Sequence, residues 1–196
     1  MRYFKTPFCC FLLAAMILGS TVCALAQDET STEISGFYQG YRNFDYRTGY
    51  GEEVDIRKAE MNGGGFGIAQ NLASWFALWT QFSFLGTTES PYLSVRIINN
   101  LQGLRYQTPQ YGPFRFYGKG GIGFTNYSIN LAGQSGGETK LSVGYGGGAQ
   151  LWMADYLGLF VEGTHIIMGV PQISEFDDRD KWDSGLSLMT GIALRF

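Results

Sequence analysis

The sequence has little of what metal sites, redox groups and disulfide frameworks require. Its 196 residues include one His and three Cys, too few for a zinc, haem or iron–sulfur site. Only 5 Pro and 16% charged residues are present, which argues against a disordered chain. The net charge of −3 provides no basic surface for nucleic acid. We therefore predict a folded protein with no cofactor, no metal and no nucleic-acid partner.

Glycine and aromatic residues, by contrast, are abundant. The chain has 28 Gly, about twice the usual share of ~7%, together with 15 Phe, 12 Tyr and 4 Trp. The mean hydropathy of −0.05 is close to that of a soluble protein. The longest unbroken apolar run, Phe8–Leu18, has 11 residues, and a membrane-spanning helix needs about 20.

The first 26 residues have the features of an export signal. Arg2 and Lys5 give a positive start, Phe8–Leu18 forms an apolar centre, and Ala24–Ala26 supplies a small-x-small cleavage pattern. The sequence thus predicts a signal peptide, 1–26, cleaved after Ala26, followed by one domain, 27–196. An uncleaved anchor is the alternative.

All three cysteines, Cys9, Cys10 and Cys23, lie in the predicted signal. The mature chain would then be exported without any disulfide bond. Acylation of Cys23 as in a lipoprotein is a further alternative, but Ser20-Thr21-Val22 lacks the Leu and the small residue expected before it.

Beyond the signal, the recurring pattern is alternation with a period of two, which is typical of strands with two different faces. In the last segment, apolar Leu188, Ile192 and Leu194 alternate with Gly191 and Arg195. Eight candidate strands follow from such patterns: Glu33–Asp45, Glu60–Gln70, Trp75–Leu85, Arg96–Gln107, Phe114–Tyr127, Lys140–Met153, Leu157–Met168 and Gly185–Phe196. For the first and fourth strands, the pattern does not decide which side is the apolar, lipid-facing one.

In these strands the face opposite the apolar one is small and polar, and the charges concentrate between strands. A soluble sandwich would carry many charges on its exposed face, whereas a membrane barrel is apolar outside and polar inside. The pattern therefore predicts an all-β fold, an eight-stranded antiparallel up-and-down transmembrane β-barrel. Glycines suit its narrow lumen and strong coiling.

The connections between these strands are expected to alternate in length. Short ones are Asn71–Ser74, Thr108–Pro113 and Ala154–Tyr156; long ones are Tyr46–Ala59, Gly86–Val95, Ser128–Thr139 and Gly169–Ser184. Outer-membrane barrels have short periplasmic turns and long external loops. Aromatic residues near the strand ends are expected to form interfacial girdles: Trp75, Tyr106, Tyr127, Trp152 and Tyr156.

The C-terminal sequence Gly191-Ile-Ala-Leu-Arg-Phe196 resembles the assembly signal of bacterial outer-membrane proteins, with Gly191, Leu194 and Phe196 in its defining positions. The run Phe116–Gly123 is similar to a strand of the eight-stranded family that includes OmpA-like, OmpX-like and opacity-type barrels. The resemblance implies a location in the cell outer membrane. It also implies contact with outer-membrane lipids and lipopolysaccharide, and recognition by the barrel assembly machinery through the C-terminal strand.

Four charged residues occupy strand positions that alternate with the apolar, outward-facing ones, which we call inward parity. They are therefore expected to point into the lumen: Arg115, Lys119, Glu162 and Arg195. A charge buried there must be paired or wetted. The first interpretation is an internal network of ion pairs and water that stabilises a closed barrel. The alternative is that these residues line or gate a narrow solute path, although eight strands enclose little free space.

Two motifs that suggest enzymes lack the required context. Gly118–Gly123 satisfies G-x-G-x-x-G, but it lies within a strand and no helix follows it. His165 is the one imidazole, and the lipid A deacylase pattern would need Ser at the position of Ile167. We predict that the protein is not an enzyme and that His165 is an interfacial side chain.

The last long connection is the most charged segment, with Glu175, Asp177, Asp178, Arg179, Asp180, Lys181 and Asp183. The first adds Glu52, Glu53 and Asp55. These residues lack the spacing of a calcium loop, so a solvated surface is expected, with weak divalent binding that bridges to lipopolysaccharide as the alternative.

Overall, we predict a structural or surface-interaction protein that acts through its loops. A narrow porin or a barrel that binds a small solute or ligand is the alternative, and the loop partners stay open.

Overall fold

The computed structural model describes residues 31–43, 60–90, 93–131, 134–169 and 182–196. The predicted signal peptide lies outside these residues, as do Glu52, Glu53, Asp55 and the charged residues 175–181. Eight strands follow in chain order: β1 (Thr32–Asn43), β2 (Glu60–Ala73), β3 (Phe76–Ser90), β4 (Leu93–Gln107), β5 (Phe114–Leu131), β6 (Gln134–Ala154), β7 (Leu157–Gly169) and β8 (Trp182–Arg195).

Each strand pairs antiparallel with the next, and the sheet closes into a barrel. The closing pair is β1 with β8, where Glu33 lies opposite Arg195 and Asn43 opposite Gly185. The predicted eight-stranded up-and-down barrel is therefore confirmed. We call the end with Thr32, Arg195 and the turns 74–75, 108–113 and 155–156 the terminus end, and the opposite one the far end.

Side chains alternate between the outer surface and the lumen along every strand, as the period of two predicted. Large apolar side chains such as Ile122 (61% exposed) and Leu188 (60% exposed) lie outside. The two strands whose facing was open are settled: Glu33 and Gln39 of β1, and Arg105 of β4, are buried inside.

Two of the predicted long connections are mostly strand. β3 runs to Ser90 and β4 begins at Leu93, while β5 runs to Leu131 and β6 begins at Gln134. Only 91–92 and 132–133 separate these pairs, so the predicted strict alternation of short and long connections is wrong. The polar residues there predict loops. Strands that extend beyond the apolar part of the outer surface keep their backbone hydrogen bonds, however, and need no apolar face there.

The predicted aromatic girdle is wrong for two residues. Trp75, Tyr106 and Tyr156 are exposed by 53–64%, whereas Tyr127 and Trp152 are 7% and 5% exposed and lie in the lumen. Both have inward parity, Tyr127 with Thr125 on β5 and Trp152 with Gln150 on β6. Proximity to a strand end was therefore a weaker guide than parity.

Inward-facing glycines provide space for large lumen side chains. A Cβ on Gly148 would lie 2.7 Å from Oη of Tyr117, and a Cβ on Gly144 would lie 2.7 Å from Cδ1 of Leu101. These glycines are thus places where a bulky side chain packs directly on the backbone of the barrel wall. Among the described residues, no helix has both the length and the apolar composition to cross a membrane.

Candidate functional site in the barrel lumen

The four charged residues chosen by parity lie in the lumen in two groups. Lys119 of β5 contacts Glu162 of β7, with 2.6 Å between Nζ and Oε1. Arg115 and Arg195 contact Glu33 instead, at 3.1 Å and 3.5 Å from its Oε1. The structure therefore pairs Lys119 with Glu162 and places Arg115 and Arg195 in a separate group nearer the terminus end.

The Lys119–Glu162 pair is enclosed by polar and aromatic partners, and we call this arrangement the central layer. Lys119 Nζ also donates to Gln81 Oε1 at 2.6 Å and lies 4.1 Å from the centre of the Trp79 ring. Glu162 accepts hydrogen bonds from Tyr117 Oη at 2.8 Å and from Thr164 Oγ1 at 2.7 Å. Both oxygens of the buried carboxylate are thus hydrogen-bonded, which a desolvated charge requires.

Glu33 is the centre of the second group, which we call the Glu33 layer. Its side chain is 2% exposed and lies 2.6 Å from Nη2 of Arg105. Asn71 Nδ2 and Gln150 Nε2 also donate to it, at 3.2 Å and 3.1 Å. With Arg115 and Arg195, five side chains from five different strands converge on one carboxylate.

Sequence reasoning missed Glu33 and Arg105. Glu33 was left unassigned because the facing of β1 was open, and Arg105 because the facing of β4 was open. One available signal was the alternation of Glu33 with the apolar Ile34, which is 44% exposed. The pairing itself could not be read from alternation, because Arg105 lies 72 positions away in the chain.

Aromatic rings support the guanidinium groups of the Glu33 layer. Cζ of Arg195 lies 3.6 Å from the centre of the Trp152 ring, and Cζ of Arg115 lies 5.9 Å from the same centre. Cζ of Arg105 lies 5.4 Å from the Tyr117 ring centre. Such contacts stabilise desolvated cations through the negative face of the ring.

A small cavity separates the two layers. Its volume is about 50 Å³, and its lining includes Glu33, Arg105, Gln150, Lys119 and Glu162. A cavity of this size and polarity has room for a few water molecules. The cavity therefore belongs to the same polar interior and is far too small for a typical organic ligand.

The far half of the lumen is filled mainly by apolar side chains. We call its filling the apolar plug; its residues are Tyr41, Met61, Leu85, Ile97, Leu101, Tyr127, Ile166 and Met168, each at most 7% exposed. Small polar groups on the wall pair among themselves, for example Asn99 Nδ2 with Thr125 Oγ1 at 2.6 Å and Gln39 Nε2 with Ser187 Oγ at 2.7 Å. The plug lies between the ionic layers and the far end.

The remaining sequence candidates lie elsewhere. His165 packs against Tyr145, with ring centres 5.2 Å apart, on the side opposite the lumen. Gly118–Gly123 lies within β5. No group of three or more His, Cys, Asp or Glu that could hold a metal ion occurs in the described part of the chain.

The three residues of the resembled assembly signal lie at the end of β8. Leu194 and Phe196 face outward, with exposures of 39% and 73%. A Cβ on the inward Gly191 would lie 2.8 Å from the Cβ of Phe37. β8 is also the strand that pairs with β1 to close the barrel.

Solved structures of outer-membrane barrels share this fold. Neisserial surface protein A matches with a TM-score of 0.64 at 11% identity, covering 85% of this chain and 97% of that one. Ail, the attachment invasion locus protein of Yersinia pestis, matches with 0.55 at 19%, covering 86% and 100%. A major outer membrane protein of Thermus thermophilus matches with 0.56 at 12%, covering 84% and 99%.

A search of curated protein sequences finds no match. The sequence does match the family described as outer membrane protein beta-barrel domain, over residues 11–195. This match spans nearly the whole chain and agrees with the closed barrel, its apolar outer surface and its polar interior. The chain belongs to the outer membrane protein beta-barrel domain family, and it is an integral β-barrel of the outer membrane.

Proposed function

We propose that this protein is a closed barrel that acts at the cell surface, where its partners bind the connections at the far end. The observation that carries the proposal is the apolar plug. Tyr41, Ile97 and Ile166 are each 2% exposed, and Leu101 is fully buried. A path for hydrated solutes needs continuous polar lining, and an apolar constriction excludes water.

The polar interior supports the same conclusion. Lys119 and Glu162 are each 5% exposed and interlocked with their neighbours, so opening a path would separate a buried ion pair at high cost. We therefore propose that the central and Glu33 layers stabilise the barrel and do not conduct. With one His, which faces outward, we also propose that the protein has no catalytic site.

The names of two structural relatives support a role at the surface. One is a surface protein of Neisseria, and the other is an attachment invasion locus protein whose structure is known in complex with the heparin analogue sucrose octasulfate. In this chain, segments 44–59 and 170–181 join strands at the far end and contain eight acidic and five basic residues. Because this balance repels polyanions, we propose a basic partner, or lipopolysaccharide bridged by divalent cations.

Export and assembly complete the proposal. We propose that signal peptidase cleaves after Ala26 and that residues 27–196 form the mature protein. The barrel assembly machinery would recognise Gly191, Leu194 and Phe196, because an outward apolar pair beside an inward glycine lies on the strand that closes the barrel.

Conductance in planar bilayers tests the closed lumen. We expect no discrete conductance steps from the native protein. The matched variant combines Leu101→Ser, Ile166→Gly and Met168→Gly with Lys119→Ser and Glu162→Ser, which removes part of the apolar plug together with the interlocked ion pair. Steps in this variant alone would support the closed lumen, whereas steps in the native protein would overturn the proposal.

Binding to lipopolysaccharide tests the surface role. Native protein in neutral detergent is compared with a variant in which Asp177, Asp178 and Asp180 are replaced by Asn. The probes are lipopolysaccharide with Ca²⁺, lipopolysaccharide without Ca²⁺, a basic protein and heparin. We expect Ca²⁺-dependent retention of lipopolysaccharide or retention of the basic protein, weaker in the variant. Retention of heparin alone would contradict the proposed chemistry.

A further inference from the structure

The Glu33 layer has more positive than negative charge. Arg105, Arg115 and Arg195 all contact Glu33, and within the described residues no second carboxylate contacts them. The neighbouring central layer is neutral, because Lys119 pairs with Glu162. Among the residues that the structure describes, two guanidinium charges in this layer therefore have no carboxylate of their own, and uncompensated charge is costly in a narrow protein interior.

The two surplus charges can be assigned to particular residues. Arg105 is the closest partner of Glu33, its side chain is 8% exposed, and it also donates to Asn71 Oδ1 at 3.2 Å. Arg115 and Arg195 each make a single longer contact, at 3.1 Å and 3.5 Å, to the same Oε1 atom. The buried Nε atoms of Arg115 and Arg195, like that of Arg105, have no hydrogen-bond partner within the described chain.

Arg115 and Arg195 also lie close to one another. Both guanidinium groups contact the Trp152 ring, with Cζ at 5.9 Å and 3.6 Å from its centre, and both contact one oxygen of Glu33. The buried Nε1 of Trp152 lacks a partner in the same way. Three groups with N–H donors that lack a partner in the described chain therefore lie in one region of the lumen.

This region is accessible from the terminus end. The side chains of Arg115 and Arg195 are 13% and 19% exposed, compared with 2% for Glu33. Arg195 is next to the last residue and Arg115 lies two residues after the turn 108–113, so both are near the terminus end. An anion that approaches from this end would meet both arginines before it reached the apolar plug.

We infer that Arg115, Arg195 and Trp152 form a binding site for a free tetrahedral oxyanion of charge about −2, phosphate or sulfate. The guanidinium fork matches the oxygens of such an anion in two parallel hydrogen bonds. A double charge also balances the two surplus cations. The site faces the lumen, so the barrel wall separates it from lipid headgroups. This inference is independent of the surface role proposed above.

Phosphate titration by isothermal calorimetry tests the site, with folded protein in neutral detergent at constant ionic strength. We expect saturable binding, weakened about tenfold or more by Arg115→Gln and by Arg195→Gln, because each removes charge-assisted hydrogen bonds. Arg115→Lys keeps the charge but loses the fork, and should show a smaller loss. Arg42→Gln, on the outer face of β1, is the matched control and should bind as the native protein does.

Trp152 gives a second, local readout. Phosphate should change the tryptophan fluorescence of the native protein, and Trp152→Phe should remove this change while calorimetric binding persists. Gel mobility that shifts on heating identifies correctly folded variants. The inference is overturned by absence of binding to folded native protein at millimolar phosphate, or by binding in both Gln variants that equals binding in the native protein. Binding of anionic lipid vesicles in the absence of any binding of inorganic phosphate would overturn it as well.

Discussion

Lys119 Nζ lies 2.6 Å from Glu162 Oε1, and each side chain is 5% exposed. The two residues come from β5 and β7, which are separated in the sheet by β6, so the contact passes over the inner face of β6. It joins parts of the wall that have no backbone hydrogen bonds to each other. This relationship makes a direct prediction about stability.

We expect Glu162→Gln to lower the free energy of unfolding by about 3–5 kcal/mol, because Lys119 remains as a buried charge without a counter-charge. Urea titration in lipid vesicles, followed by tryptophan fluorescence, measures the change. The double variant Lys119→Met with Glu162→Gln removes the orphaned charge and should lose less. An equal or larger loss in the double variant would contradict the prediction.

Glu33→Gln should be at least as destabilising, by about 3 kcal/mol or more, because three arginines then lie together without a carboxylate. Part of the loss should be recovered at high salt, which screens their repulsion. The matched control is Glu138→Gln: Glu138 is 38% exposed and pairs with Lys140 at the far end. Its cost should stay below about 1 kcal/mol. Comparable losses at both positions would show that Glu33 has no special role.

The space around two glycines of β5 predicts different effects on stability when each is replaced by Ala. A Cβ on the inward Gly123 would overlap the carbonyl of Asn100, whereas a Cβ on the outward Gly120 meets nothing within 4 Å. Gly123→Ala should therefore cost about 1–3 kcal/mol through overpacking. Gly120→Ala should be neutral or stabilise by up to about 1 kcal/mol, since it reduces the entropy of the unfolded chain. Thermal shifts of gel mobility compare the two, and tolerance of Gly123→Ala would contradict the geometry.

The stability cost of placing a charge on the outer surface should depend on its depth in the membrane. Ile122 lies in the middle of β5 and is 61% exposed; Tyr156 lies in a turn at the terminus end and is 64% exposed. Ile122→Arg should cost about 2–4 kcal/mol and Tyr156→Arg about 0–1 kcal/mol, because a charge is least tolerated at the membrane midplane. Folding yield into vesicles at increasing urea measures both. Equal costs would place Ile122 outside the apolar zone.

Alternation along a strand is local information, whereas pairing across the barrel depends on residues far apart in the chain. Alternation identifies Ile122 and Leu188 as outward-facing, because the two sides of a barrel strand meet different solvents. It could not assign Glu33 to Arg105, since partners across a lumen depend on the closure and stagger of all eight strands. Strand ends such as Ser90 were missed for a different reason, because beyond the membrane both faces meet water and the alternation disappears.

The residues of the Glu33 layer come from strands that meet when the barrel closes, so their charges pair at the closing step of folding. Glu33 belongs to the first strand, Arg105 and Arg115 to the fourth and fifth, and Arg195 to the last. An open sheet would hold these strands apart and leave the ions separated, so the pairing of the arginines with Glu33 coincides with the joining of β1 and β8. A partly assembled chain should therefore have no stable resting state within the bilayer, and insertion should proceed cooperatively from a sheet that still exposes its ions to water.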